Sequence, residues 1–316
     1  MTLLSSHTAA DWMQAASLPP LAGTEPEPGW VAHWRAYYGI DFAAGSTAVQ
    51  QRLGRLPVAG YQLAVQVYTP VQPARGSCIV LHGYYDHMGL YGHLYGWLLQ
   101  QGYAVLTCDL PGHGLSTGPR ASIGSFDEYQ QVLQALLAQI APLQLPAPVH
   151  LVGQSTGAAI GLDLALRGWP RELDQLVMLA PLVRPRAWQQ SKMLYHGLRP
   201  FVRQIPRRRS QNSGDAAFLQ FLEQDPLQPG VLPVAWVGAL AQWIPRIEQA
   251  APVAIRPVIV QGDSDRTVDW QHNLDVLQDK FANPYICILP GAQHHLVNEL
   301  EHHRHKGFEF IGRYLP

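Results

Sequence analysis

Val149-His150-Leu151-Val152-Gly153-Gln154-Ser155-Thr156-Gly157-Ala158-Ala159-Ile160-Gly161-Leu162 compresses a strand, a turn and the start of a helix into one short run. The first four residues suit a buried strand. The apolar segment after the serine suits a helix, which runs through Leu166 and stops at Gly168-Trp169-Pro170. A strand that turns sharply into a helix lifts the serine hydroxyl above the sheet, and the flanking glycines leave the strained backbone room. The bare Gly-x-Ser-x-Gly pattern decides little, since chance supplies roughly 0.1 such string in a chain this rich in glycine. A second copy, Gly114-Leu115-Ser116-Thr117-Gly118, follows a Pro111-Gly112-His113-Gly114 turn and runs into Pro119-Arg120, with no helix to follow. Ser116 therefore reads as a polar loop residue and Ser155 as a nucleophile.

Outward from this turn, strands alternate with helices. Tyr61–Tyr68, Ser77–Leu81, Tyr103–Leu110, Leu176–Leu179, Pro257–Val260 and Tyr285–Leu289 read as strands. A helix is predicted over Phe126–Ile140, opened by a capping box of Ser125 and Glu128, with others over Gln271–Phe281 and Glu299–Tyr314. Such alternation means an α/β fold, a mostly parallel sheet flanked by helices, with chemistry at the carboxyl ends of the strands. Residues 61–183 and 250–316 form that core, and the helical, aromatic-rich stretch 184–249 reads as an insertion over it. Residues 1–60, broken by Pro19-Pro20 and Glu25-Pro26-Glu27-Pro28, are expected to be an irregular or helical extension. Its aromatic stripe, Trp30, Trp34, Tyr37 and Tyr38, packs on the body.

A serine hydroxyl needs a base, and the base needs an orienting carboxylate; in this architecture they follow in the order Ser, Asp or Glu, His. After the Val258-Ile259-Val260 run comes Gly262-Asp263-Ser264-Asp265, and Asp265 is the best orienter, with Asp263 and Asp269 read as capping or solvated residues. After Ile286-Cys287-Ile288-Leu289 comes Pro290-Gly291-Ala292-Gln293-His294-His295, where His294 is the better base and His295 the alternative. The oxyanion formed on attack needs main-chain donors. Thr156, next to the nucleophile, supplies one amide, and Tyr84, in the loop His82-Gly83-Tyr84-Tyr85, supplies the other. His82 and His113 precede Ser155, the wrong order for a base, and read as hydrogen-bonding loop residues.

These residues resemble the α/β-hydrolase superfamily, and within it the monoacylglycerol lipase and lysophospholipase-like serine hydrolases. The matching motifs are His82-Gly83-x-x-Asp86-His87, Asp109-x-Pro111-Gly112-His113-Gly114-x-Ser116, Ile123-x-Ser125-Phe126-Asp127-x-Tyr129 and the Ser155 turn. Asp225-Pro226-Leu227, Gly262-x-x-Asp265 and Gly291-Ala292-Gln293-His294-x-Leu296-x-Asn298-Glu299 follow in the same order. The resemblance favours Asp265 and His294 over their neighbours. It implies an insertion that caps an acyl pocket, and hydrolysis of carboxylic esters through an acyl-enzyme without a cofactor. Many relatives carry His, Met and Gly where this turn has Gln154, Thr156 and Ala158, and Glu in place of Asp86; substrate choice, not catalysis, is what those departures touch. A thioesterase, peptidase, acyltransferase or C–C bond hydrolase runs on the same three residues. A non-catalytic binding protein on this fold usually lacks one of them.

Within the insertion, Phe218, Phe221, Trp236 and Trp243 are candidates to line the acyl channel, or else form the insertion's own core. Between Arg184 and Gly214 stand eight basic residues and no acidic one: Arg184, Arg186, Lys192, Arg199, Arg203, Arg207, Arg208 and Arg209. They are interleaved with Trp188, Leu194, Tyr195, Leu198, Phe201 and Val202. This reads either as a solvated flank or as a face that docks on anionic lipid.

The whole chain of 316 residues carries a formal net charge of −1 with only 14% charged residues, which disfavours nucleic-acid binding. At 47% hydrophobic residues it has ample material for a core. Cys78, Cys108 and Cys287 lie in apolar runs at no metal-like spacing and read as buried thiols of a reduced compartment. His302, His303 and His305 point to different faces of one helix and read as exposed, not as a metal site. With no spanning segment and no recognisable signal peptide at residues 1–7, a cytoplasmic protein is expected.

Overall fold

The computed structural model describes residue 12 and residues 17–43, 49–207 and 210–315. Residues 1–7, read above for a leader, and Arg208 and Arg209 of the basic run lie outside the described residues. An eight-stranded sheet forms the middle layer. Its strands are β1 (Val49–Val58), β2 (Tyr61–Pro70), β3 (Gly76–Leu81), β4 (Tyr103–Cys108), β5 (Val149–Gln154), β6 (Leu173–Leu179), β9 (Val258–Gly262) and β10 (Tyr285–Leu289). They lie in the order β1-β2-β4-β3-β5-β6-β9-β10. The β1–β2 and β2–β4 pairs are antiparallel and all the others parallel. Because β3, β4 and β5 are covered on both faces, every one of their residues is buried, which is why β3 and β4 read as mostly apolar runs.

Helices cover both faces. On one side α3 (Phe126–Leu137), α4 (Thr156–Arg167) and α8 (Trp270–Lys280) pack through Phe126, Leu133, Ile160 and Leu277. On the other, α1 (Trp30–Tyr38), α2 (Gly92–Gln100) and α9 (Glu301–Gly312) pack through Trp34, Leu94, Leu98, Phe308 and Ile311. The Ser125–Glu128 capping box opens α3 with both of its hydrogen bonds formed.

The region expected to be irregular or helical through residue 60 instead contains β1, which forms a hairpin with β2 across the two-residue turn Ala59-Gly60. Both turn residues have positive φ, 51° and 82°, the geometry that matches the twist of a hairpin. β1 is an edge strand with Gly54 and Pro57 inside it and polar residues interspersed, so its sequence lacks a clean strand period.

Between β6 and β9 the chain forms α5 (Trp188–Leu198), α6 (Ala216–Gln224), α7 (Val234–Gln249) and a small antiparallel ribbon of β7 (Gln204–Pro206) and β8 (Val231–Pro233). Cys78 and Cys108 are buried, but Cys287, on the edge strand β10, is only half-buried. His303, expected to be exposed, turns inward on the face of α9 that also carries Gly307 and Phe308. No group of three metal-binding side chains occurs among the described residues, and no helix there is long and apolar enough to cross a membrane.

Candidate active site

Ser155 sits between β5 and α4 with φ 51° and ψ −109°, a conformation that non-glycine residues rarely adopt. Neighbouring backbone holds it there. A Cβ on Gly153 would lie 2.3 Å from Gly157 C, and one on Gly157 would lie 2.1 Å from Leu81 O at the end of β3. The two glycines therefore let α4 start against the ends of β3 and β5. Gly157→Ala forces main chain to move and is expected to cost about 3 kcal/mol, read as a lower melting temperature. An unchanged melting temperature would show that the backbone approach here is not tight.

His294 and Asp265 come to Ser155 from the loops after β10 and β9. His294 Nε2 lies 3.0 Å from Ser155 Oγ, and His294 Nδ1 lies 2.7 Å from Asp265 Oδ2. An ionised carboxylate only accepts, so Nδ1 carries the ring proton and Nε2 is free to accept from the serine. Asp265 Oδ1 accepts the amides of Thr267 and Val268 at 2.7 and 3.1 Å, and Oδ2 also accepts from Gln261 Nε2 at 3.1 Å. Burial alone would raise the Asp265 pKa. The charge and hydrogen bond of His294, with those two amides, outweigh burial and hold it below the ordinary value. Burial alone would lower the His294 pKa; the Asp265 charge and hydrogen bond, with the Asp86 charge, bring it above the ordinary histidine value. Asp263, the nearby alternative, is taken up elsewhere: it accepts the amide of Gly291, in the loop after β10, at 2.7 Å.

Tyr84 and Thr156 flank the serine from two elements. Thr156 is the first residue of α4, so its amide has no carbonyl one turn back to receive it. A Cβ on Gly83 would stand 3.4 Å from Ser155 Cβ, which puts the Gly83–Tyr84 peptide against the serine. That loop is fastened by His82, whose Nδ1–H donates to Gly83 O at 2.7 Å while Nε2 accepts the Leu110 amide at 2.9 Å. Burial lowers the His82 pKa, as this neutral arrangement requires. Ser116, in the second Gly-x-Ser-x-Gly string, has its hydroxyl between Asp109 O at 2.6 Å and the Ala64 amide at 2.9 Å.

Of the four aromatic candidates, only Trp236 touches the loop beside the serine, stacking on the Tyr84 ring with centroids 3.7 Å apart. Trp243 is 2% exposed, stacks on Phe126 and donates to Asp163 Oδ2 at 3.2 Å. It is core between α7, α3 and α4, because its indole N–H finds a buried carboxylate there, and it does not line a channel. Phe218 packs edge-on to His295, and Phe221 packs on Tyr37 and Tyr38. Both line a cavity of about 860 Å³ whose walls include neither Ser155 nor His294. The Asp225-Pro226-Leu227 stretch ties the insertion to the body: Asp225 Oδ2 lies 2.9 Å from His87 Nε2, and Oδ1 accepts from Tyr38 at 2.7 Å.

Gln261 and Tyr91 belong to the site without having been singled out from the sequence. Gln261 carried a signal, a lone amide at the end of the Val258-Ile259-Val260 run; Tyr91 is one aromatic among several. Gln154 also bears on the His294 loop, because its Oε1 accepts the Val297 amide at 3.1 Å and so anchors the chain that follows His294.

A mostly parallel sheet with a serine on a strained strand-to-helix turn, facing a histidine and an aspartate from later loops, defines an α/β-hydrolase. The chain belongs to the family described as serine aminopeptidase, S33, whose profile matches residues 72–301. It is 26% identical over 254 residues to a monoacylglycerol lipase of Mycolicibacterium smegmatis, covering 77% of this chain and 90% of that one. It is 28% identical over 257 residues to the monoglyceride lipase of Rattus norvegicus, covering 76% and 82%. In fold it is similar to a soluble variant of the monoglyceride lipase from Saccharomyces cerevisiae, with TM-score 0.73, 17% identity and 86% and 96% of the two chains covered. The protein is a hydrolase of the lipase and esterase type.

Proposed function

We propose that this protein hydrolyses carboxylic esters with Ser155 as nucleophile, His294 as general base and Asp265 as the group that orients it. The observation that carries the reading is the unbroken line from Ser155 Oγ to His294 at 3.0 Å and on to Asp265 at 2.7 Å. In the first step Ser155 Oγ attacks the ester carbonyl as its proton passes to His294 Nε2, and Asp265 stabilises the imidazolium without taking the proton. The Tyr84 and Thr156 amides receive the oxyanion. His294 then protonates the leaving alkoxide, which departs as alcohol and leaves an acyl-enzyme. Water, deprotonated by the same nitrogen, releases the acid and restores the serine. No cofactor takes part in these steps.

The names of the relatives favour an acyl ester of the monoacylglycerol or lysophospholipid kind, and the stretch 184–249 is then a cap over the site. Hydrolysis of p-nitrophenyl esters from acetate to palmitate tests both activity and acyl preference. A second property of the cap is a contact with anionic lipid. Met193 and Phe201 are 76% and 84% exposed, an unusual position for large apolar side chains, and exposed Arg186, Arg199 and Arg203 lie in the same stretch. Arg184 and Arg207 are otherwise engaged, on Glu248 and over the Tyr85 ring. Sedimentation with vesicles is expected to show binding that rises with phosphatidylserine content and falls with salt, each exposed cation contributing about 1 kcal/mol. Equal partition onto neutral and anionic vesicles would leave these residues as an ordinary solvated flank.

A further inference from the structure

Beside the line of Ser155, His294 and Asp265 runs a second chain of polar contacts. Tyr91 Oη accepts the Gly83 N–H at 2.8 Å and donates to Asp86 Oδ2 at 2.9 Å. The same Oδ2 stands 3.2 Å from Nε2 of His295, the residue directly after His294. Tyr91, Asp86 and His295 are all buried. The His295 ring is walled by Phe218 and Tyr91, with centroids 4.7 and 6.1 Å away. Neither of its nitrogens has a hydrogen bond of regular geometry among the described residues, so the Asp86 contact is the polar anchor of the ring.

We infer that His295 is a positioning residue that, through Asp86 and Tyr91, ties the loop carrying His294 to the Gly83 amide, one residue before the Tyr84 amide beside Ser155. This rests on the serine-hydrolase reading above. A tyrosine hydroxyl has one proton, and giving it to Asp86 turns its lone pairs toward the Gly83 N–H. The next amide in that loop is Tyr84's, the proposed oxyanion donor. Asp86 reaches this place because position 83 has no side chain: a Cβ there would lie 3.0 Å from Asp86 Oδ2. Burial alone would raise the Asp86 pKa, but His295 foremost, with His82 and Tyr91, holds it well below the ordinary carboxylate value. Without His295 the buried carboxylate loses a charge-stabilising partner and is driven toward its protonated form. A protonated Asp86 no longer obliges Tyr91 to donate to it, and the aim of the Gly83–Tyr84 peptide loosens. The loop after His294 keeps separate anchors, His295 N–H to Asn212 O at 2.7 Å and Val297 N–H to Gln154, so the effect falls on the reaction and not on the fold.

A double-mutant cycle on the full chain tests this, using a p-nitrophenyl ester and thermal melts. His295→Val and Tyr91→Phe are each expected to lower kcat about tenfold to a hundredfold, with KM changed less than about threefold. The double variant is expected to be no slower than the worse single one, because both substitutions break one chain. His295→Gln, whose amide N–H reaches toward Asp86 in place of the ring, is expected to recover most of the loss. If His295→Val does not fold, His295→Asn, too short to reach Asp86, replaces it in the cycle. A folded variant at position 295 with wild-type kcat, or losses that multiply in the double variant, would overturn the inference. Ser155→Ala separates the two levels. If it stays active the serine reading itself falls; if it is inactive while the cycle fails, only the positioning role does.

Discussion

Ser155→Ala is expected to lower hydrolysis of a medium-chain p-nitrophenyl ester roughly 10⁴- to 10⁶-fold while leaving the melting temperature close to that of the wild type. The loss is large because the substitution removes Oγ, the atom that in the proposed mechanism attacks the ester and forms the acyl-enzyme. His294 and Asp265 remain paired through their 2.7 Å contact, and the two amides remain in place, so a residual rate from binding and oxyanion stabilisation persists. The fold should tolerate the change, since alanine carries the same Cβ into the φ 51° conformation and leaves the two glycines around it untouched. The assay is initial rates across the ester series from acetate to palmitate for both proteins side by side. A variant as fast as the wild type would sink the assignment of the nucleophile. Absence of activity in both would move weight to a narrow non-ester substrate or to a binding protein on this fold.

Asp265→Asn is expected to cost roughly 10⁴ in kcat, and for a reason that the hydrogen bonds make specific. The Oδ1 position faces the Thr267 and Val268 amides, which can only donate, whereas the His294 ring and the Gln261 amide at Oδ2 can each turn an acceptor to it, so the carboxamide oxygen takes the Oδ1 side. The NH₂ group then occupies the place of Oδ2, facing His294 Nδ1. A donor there forces the ring proton onto Nε2, and the nitrogen that should accept from Ser155 no longer can. The pH profile should move as well. The working form is the neutral imidazole, so activity rises as pH passes upward through the His294 pKa, which in the wild type lies above the ordinary histidine value. Without the Asp265 charge, burial is left as the larger influence and the pKa falls, so the acid limb of kcat/KM shifts to lower pH. An acid limb that stays where it is in the wild type would show that His294 is not the titrating base.

The chain legible in the sequence was the part built from local chemistry. The strand–glycine–serine–glycine–helix run at Val149–Leu162 already required an open turn at the end of a sheet. The Ser125–Glu128 box marked the start of α3, and the mostly apolar runs marked β3 and β4 as buried strands. The edge strand β1 escaped because half of its surface faces solvent and its proline and glycine mimic a loop. Helix α2, with Gly92 and Gly96 in it, carries no clear helical signal either. Trp243 could not be assigned from its type, since a tryptophan serves equally well in a core or a channel; the partner of its indole N–H decides, and Asp163 lies 80 residues away in the chain.

By itself the sequence determined that this is an α/β fold and singled out Ser155 as the candidate nucleophile, because those features depend on which residue types are adjacent along the chain. It ranked His294 above His295 as candidate base and Asp265 above Asp263 and Asp269 as candidate carboxylate. Only the tertiary structure shows what each of the two histidines faces. His294 and His295 are adjacent in the chain, yet one ring faces Ser155 and Asp265 and the other faces Asp86. Opposite orientations of adjacent side chains are set by the folding of the loop and by the groups that wait on each side. Ser155 and Asp86 lie more than a hundred residues away in the chain and Asp265 on a different loop, and no local pattern encodes their arrival.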